Sequence, residues 1–300
     1  MARKIAVFAL AAAVLLSIAG AVPTTNSYDA LKREGERYYE EKSFSRAHAV
    51  YLEASKLELP EAERRWVTMR LAASALRGGV GTLDEARKPL EALIADANHD
   101  RVWAEANEAL GDFHMDQARG GDFYNALRYF QPALDWWAGS SEVDLARERY
   151  LNMVWKLAAE QHRWYAIPRE IIVNATEIAQ TAADRAKARF ILAWQLSSDG
   201  RPESVERAME HLELVIAEGK KSEWYDDALF LAGQILSQER GHIVVAGTNE
   251  IEYFSDYARA LEYFRRIVRE FTSAESRHHD DAQQAIENIT RPTVGVSASG

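Results

Sequence analysis

FSDYARALEYFRRIVREF, residues Phe254–Phe271, sets Phe254, Tyr257, Leu261, Phe264, Val268 and Phe271 three or four positions apart. On a helix those positions share one apolar face, and the opposite face carries Glu262 and Arg266 at the i,i+4 spacing of a solvated ion pair. The same period recurs from Tyr28 to Ile289, and no run of alternating β-branched residues reads as a strand. Helix ends are also marked. Thr82 and Glu85 form a capping-box pair, Pro60 and Pro202 suit first turns, and Gly78-Gly79 and Gly219 suit stops. Pro89 and Pro132 fall inside expected helices, where each costs ~3 kcal/mol and bends the axis, so kinks rather than breaks are expected there.

The helices read as pairs, because a small residue recurs in the second helix of each: Ala47, Ala86, Ala126, Ala166, Ala208 and Ala260. Two antiparallel helices that cross closely leave no room for a large side chain at the contact, and a large residue one turn later fills the groove beside it. That large residue is Tyr51, Leu90, Phe130, Leu212 and Phe264. On these positions the chain resembles the tetratricopeptide repeat family. The first repeat carries Leu31, Gly35, Tyr38, Ala47, Tyr51, Ala54 and Pro60. The third carries Trp103, Gly111, His114, Ala126, Phe130 and Ala133, with an insertion at Gly120-Gly121-Asp122. The last carries Gly233, Leu236, Ala260, Phe264 and Ile267, with a longer insertion around Arg240 to Glu252. The other repeats are degenerate and the spacing exceeds the family's. The expectation is an all-α, tetratricopeptide-like α-solenoid of about six antiparallel pairs plus a final helix.

The two ends read differently. Arg3 and Lys4 precede an apolar run from Ile5 to Leu16, and Ala19-Gly20-Ala21 supplies the small-x-small pattern of a cleavage site. Residues 1–21 are therefore expected to be a signal peptide, 22–289 the helical repeat domain, and 290–300 a linker with the first strand of a missing β-sandwich. Val294, Val296 and Ala298 alternate in that last stretch like an opening strand. Export implies a periplasmic or secreted protein with no stable membrane span after processing. Loss of the leader removes two of the 36 bases and none of the 46 acids, leaving a charge near −12 that repels nucleic acid and anionic lipid. The absence of cysteine excludes disulfides, thiolate metal sites and cysteine nucleophiles, so stability comes from packing.

Several segments are similar to the helical region that precedes the β-sandwich domains of bacterial α2-macroglobulin family proteins. They are Tyr28 to Lys32, Arg101 to Glu105, Ala133 to Ser140, Glu223 to Leu229, His279 to Ala282 and the junction Ile289 to Ser297. The resemblance spans nearly the whole processed chain. It implies the amino-terminal part of a protease-trap protein, with protein partners that include downstream domains of the same parent. The family's bait region has no counterpart here, and its cysteine thioester cannot form in this chain.

No catalytic, cofactor or metal residue emerges. His278-His279-Asp280-Asp281 offers ligand types, but consecutive residues on a helix point about 100° apart. Arg77 to Thr82 is glycine-rich yet lacks the lysine and preceding strand of a phosphate loop. Trp136-Trp137 reads as core, and Asn174 and Asn288 sit in glycosylation sequons. The candidate protein-binding groove is the face of the first helices: Lys32, Glu36, Tyr39, Glu105, Glu108, Asp112, Phe230 and Gln234. The expected function is an exported, non-catalytic interaction scaffold. A free-standing periplasmic adaptor, which Tyr257 to Ala282 also fits, is the alternative, ahead of an all-helical hydrolase of envelope polymers that would need paired carboxylates.

Overall fold

The computed structural model describes residues 27–116, 122–199, 201–244 and 251–291. The expected leader, Gly120-Gly121 and the strand-like stretch Val294 to Ala298 lie outside them. Thirteen α-helices follow one another among the described residues, gathered into two compact units, Met1–Phe113 and His114–Gly300.

The first unit holds α1 (Tyr28–Glu40), α2 (Phe44–Ala54), α3 (Glu61–Gly78), α4 (Leu83–Ala95) and most of α5 (Arg101–Met115). α1 packs on α2, α2 on α3 and α3 on α4, the neighbour-to-neighbour order of a helical repeat. Close approach within the first pair depends on Gly35, since a Cβ there would lie 2.5 Å from the Tyr51 ring. α3 ends where Gly79 turns into the left-handed region at φ 61°, a conformation that suits glycine. α4 then begins on the Thr82–Glu85 capping box. Pro60 is the residue before α3 instead of part of its first turn. Pro89 lies inside an unbroken α4, and so does Pro132 inside α6.

The second unit runs through α6 (Phe123–Ala138), α7 (Val143–Leu157), a 3-10 turn (Gln161–Ala166), α8 (Arg169–Ile178), α9 (Ala182–Ser197) and α10 (Pro202–Ala217). A short 3-10 turn (Gly219–Lys221), α11 (Tyr225–Leu236), a hairpin, α12 (Tyr257–Glu270) and α13 (His279–Thr290) follow. Consecutive helices pack on each other from α6 to α13. Ala47, Ala86, Ala126, Ala208 and Ala260 are all buried, and Tyr51, Leu90, Phe130, Leu212 and Phe264 are fully so. Ala166 breaks the series. It falls in the 3-10 turn, because Pro168 delays the start of α8 to Arg169, and the buried small residue of that helix is Ala175.

The expectation of helices alone fails between α11 and α12. β1 (Ser237–Val244) and β2 (Ile251–Ser255) pair antiparallel, with His242 opposite Tyr253, Ile243 opposite Glu252 and Val244 opposite Ile251. The sequence carries the signal: Ile243-Val244-Val245 and Ile251 to Phe254 are β-branched and aromatic, and Gly247 to Asn249 separate them. Phe254 therefore belongs to a strand, and the stripe expected on α12 is displaced. Tyr257 is exposed, while Ala260, Phe264 and Ile267 form the buried face. Arg266 pairs with Glu270 at 3.5 Å and donates to the Tyr225 hydroxyl. A Cβ on Gly233 would lie 2.5 Å from the Phe264 ring, repeating in the last pair the contact of the first.

The turn from α9 to α10 is pinned at one carboxylate oxygen. Asp199 Oδ2 accepts from Ser204 at 2.6 Å, Arg201 at 2.6 Å and Arg169 at 3.1 Å. Burial acts to raise this carboxyl, but those hydrogen bonds outweigh it and pull it down to about 2. A carboxyl whose folded-state pKa is depressed contributes stability above its unfolded value, and loses it as pH falls through the folded one. The stability of the natural protein should therefore drop between about pH 4 and pH 2, and urea titrations across that window should show a flatter decline for Asp199→Asn.

Candidate functional site

The residues expected to line one groove fall into two arrays, one in each unit. In the first unit α1, α3 and α5 bring together most of the charged ones. Lys32 lies 3.1 Å from Glu63 and 4.6 Å above the Trp66 ring. Glu36 accepts from Tyr51 at 2.6 Å and from Arg70 Nη2 at 3.1 Å. Arg70 also reaches Glu105 at 3.4 Å, and Glu105 accepts from Arg101 Nε at 2.7 Å. Arg77 pairs with Asp112. Tyr39 sits beside both arginines, their guanidinium carbons 4.8 Å and 5.4 Å from its ring centroid.

This array is internal. Glu105, Glu108 and Asp112, expected on an open face, are 3%, 6% and 2% exposed. Burial opposes the charge on Arg70, yet Glu105 and Glu36 outweigh it and hold the guanidinium charged. Burial raises the Tyr39 phenol despite Arg77 and Arg70 beside it, and burial with the bond to Glu36 raises Tyr51 well above its ordinary value. Phenols held neutral, arginines and the carboxylates paired with them make a clamp across four helices, α1, α2, α3 and α5. A sequence signal for it does exist. Arg70 and Arg77 are seven apart, and so are Glu105 and Asp112, each 35 residues further on. Opposite charges repeating at two turns, one repeat length apart, mark neighbouring first helices that face each other.

Phe230 and Gln234, on α11, are brought together in the second unit. They line a cavity of about 320 Å³ with Phe190, Trp194, Asp227 and His278. The Phe230 ring stacks on His278 at 4.3 Å and meets Phe264 at 5.8 Å. Asp227 Oδ1 receives Arg277 Nη2 at 2.5 Å and lies 2.8 Å from His278 Nε2. Burial would raise the Asp227 carboxyl, but His278 and Arg277 overcome it and hold it below its ordinary value, ionised. The wall thus combines aromatic rings, the amides of Gln161 and Gln234, the ion-paired Asp227 and a second carboxylate, Asp281. Reasoning from the sequence singled out His278 but missed its place in this wall, because its partner Asp227 is 51 residues away.

The remaining motifs take ordinary places. His279 turns to Asp280 at 2.9 Å, away from the Asp227 that His278 meets, and among the described residues no three potential ligands converge as a metal ion requires. Arg77 to Thr82 joins two helices, so the strand that a phosphate loop needs is missing. Trp137 is buried edge-on against Trp136. Asn174 lines a separate cavity of about 530 Å³ with Trp137 and Tyr150. Among the described residues no helix is long and apolar enough to cross a membrane. Set against known proteins, the chain matches no protein-family model and no curated protein.

Proposed function

We propose that the chain is an exported, non-catalytic helical-repeat scaffold, the front part of an α2-macroglobulin-like protein, and that it holds a protein partner on the α9–α11 face of its second unit. The observation that carries the reading is the cavity at Phe230 and Gln234, where aromatic surface and an amide are presented beside the ion-paired Asp227. Such a wall gains by burying apolar side chains of a partner. The Met1–Ala21 leader supports export, and the junction from Ile289 to Ser297 supports a continuing β domain.

The test is a photo-cross-linking residue placed at Gln234 of the protein in its own cells. A defined protein adduct is expected, and it should be lost when Phe230→Ala is added. An adduct-free protein, or one whose adducts ignore Phe230→Ala, would overturn the reading. Reading the gene beyond the Gly300 codon decides the parent: alternating strands of a sandwich support the α2-macroglobulin-like assignment, and a stop codon supports a free-standing adaptor.

A further inference from the structure

The cavity at Phe230 and Gln234 holds one charged group that the chain itself leaves unanswered. Its two basic side chains are turned inward on Asp227, with Arg277 Nη2 at 2.5 Å and His278 Nε2 at 2.8 Å from the same carboxylate oxygen. Asp281, in the same wall, is exposed and has neither a hydrogen bond nor an ion pair among the described residues. With His278 counted as neutral, two carboxylates against one arginine leave the cavity one negative charge in excess. The side-chain amides of Gln161 and Gln234 are also without a partner among the described residues, so their oxygens are further acceptors.

A carboxylate in a first helical turn is favoured by the helix dipole whichever way it points, so position alone implies no ligand. Asp280 separates the two roles. It stands in the same turn of α13 and is also exposed, but it meets His279 at 2.9 Å and takes no part in the cavity wall.

The aromatic surface beside Asp281 narrows the choice of occupant. One face of the Phe230 ring is covered by His278 at 4.3 Å, and Phe190 is packed on Trp224 at 5.1 Å. Trp194 is half-buried and lines both this cavity and a second one of about 370 Å³, so its indole borders open space. Indole is the aromatic group that attracts cations best. Of the two cationic side chains, only a guanidinium is planar, stacks flat on a ring and presents a fork of donors with no acceptor. It is the complement of an indole bordered by a carboxylate and two amide oxygens.

Resting on the scaffold reading above for the site, we infer that the occupant of this cavity is an arginine side chain of the protein partner. Its guanidinium stacks on Trp194 and donates to Asp281 and to the amide oxygens of Gln161 and Gln234, while its apolar stem lies along the rings. The formal charge of −10 on the chain draws such a partner in.

Ligand-observed NMR on the full chain tests this, with N-acetyl-arginine methylamide as the probe. The citrulline analogue keeps the shape and loses the charge, and the lysine analogue keeps the charge and loses the plane. The arginine probe should bind, and both analogues should bind more weakly. Asp281→Asn should weaken the arginine probe on the order of tenfold, the scale for a hydrogen bond to a charged group. Asp280→Asn makes the same change of charge one residue away and should leave binding as it was. Both side chains are exposed, so both variants should keep the fold. No binding of the arginine probe, equal binding of either analogue, or equal effects of Asp281→Asn and Asp280→Asn overturns the inference. The scaffold reading is judged separately, since a Gln234 adduct that depends on Phe230 can form in cells while every one of these probes fails.

Discussion

Arg70→Met should cost about 3–5 kcal/mol of stability in urea unfolding, the scale for removing one partner of a buried ion pair. The Arg70 side chain is 5% exposed, and Glu105 beside it is 2% exposed, so neither can turn to water when the other is lost. Glu36, at 33% exposure, keeps some hydration and adds less to the loss. The informative comparison is the double variant. If the cost arises from a buried carboxylate that keeps Arg101 but loses Arg70, and not from lost packing, Glu105→Leu added to Arg70→Met should restore more than half of it, because two apolar side chains of similar volume replace a buried pair at little net cost. A single variant within ~1 kcal/mol of the natural protein would mean that the clamp is hydrated in solution.

Phe264→Ala should be as damaging, at about 3–5 kcal/mol, since it empties a fully buried position where a large ring fills the groove between α11 and α12. Gly233→Ala should cost about 1–3 kcal/mol from the opposite cause, because the new methyl group meets the Phe264 ring at 2.5 Å. The two are one contact seen from both sides, so they should not add. In a Phe264→Leu background Gly233→Ala should cost less than it does alone. Equal costs in both backgrounds, read from thermal or urea unfolding, would show that the methyl group is resisted by the helix backbone and not by the ring.

Those two residues also show what the sequence reveals and what it withholds. A small residue at a helix crossing and a ring one turn beyond it are short-range steric requirements, so Ala47 with Tyr51 and Ala260 with Phe264 are legible without coordinates, while the contacts of those rings with Gly35 and Gly233 on the neighbouring helices emerge only in the fold. Ala166 shows the limit of the method: spacing alone selects it, while the fixed backbone of Pro168 moves the helix start and passes its role to Ala175. The hairpin was concealed by length, because the β-branched Ile243 and Val244 look like part of an insertion until their pairing with Glu252 and Ile251 is seen. The binding face was the least legible. Lys32, Glu36, Glu105 and Asp112 have the spacing of a solvated surface, and only a third helix carrying Arg70 and Arg77 turns most of that surface inward. Phe230 and Gln234 are brought into a cavity by His278 and Trp194, residues far away in the chain that no local pattern connects to them.

The hairpin departs from Leu236 and returns at Asp256, whose N–H donates to the Leu236 carbonyl at 2.9 Å. The crossing of Gly233 and Phe264 is thus fastened below the point where the extra chain begins, and the entropy of closing a longer loop grows only logarithmically with its length. The final pair of rods is in effect indifferent to what is threaded between its members. It is a natural port at which ancestry, or an engineer grafting a reporter, can add sequence without renegotiating the architecture beneath.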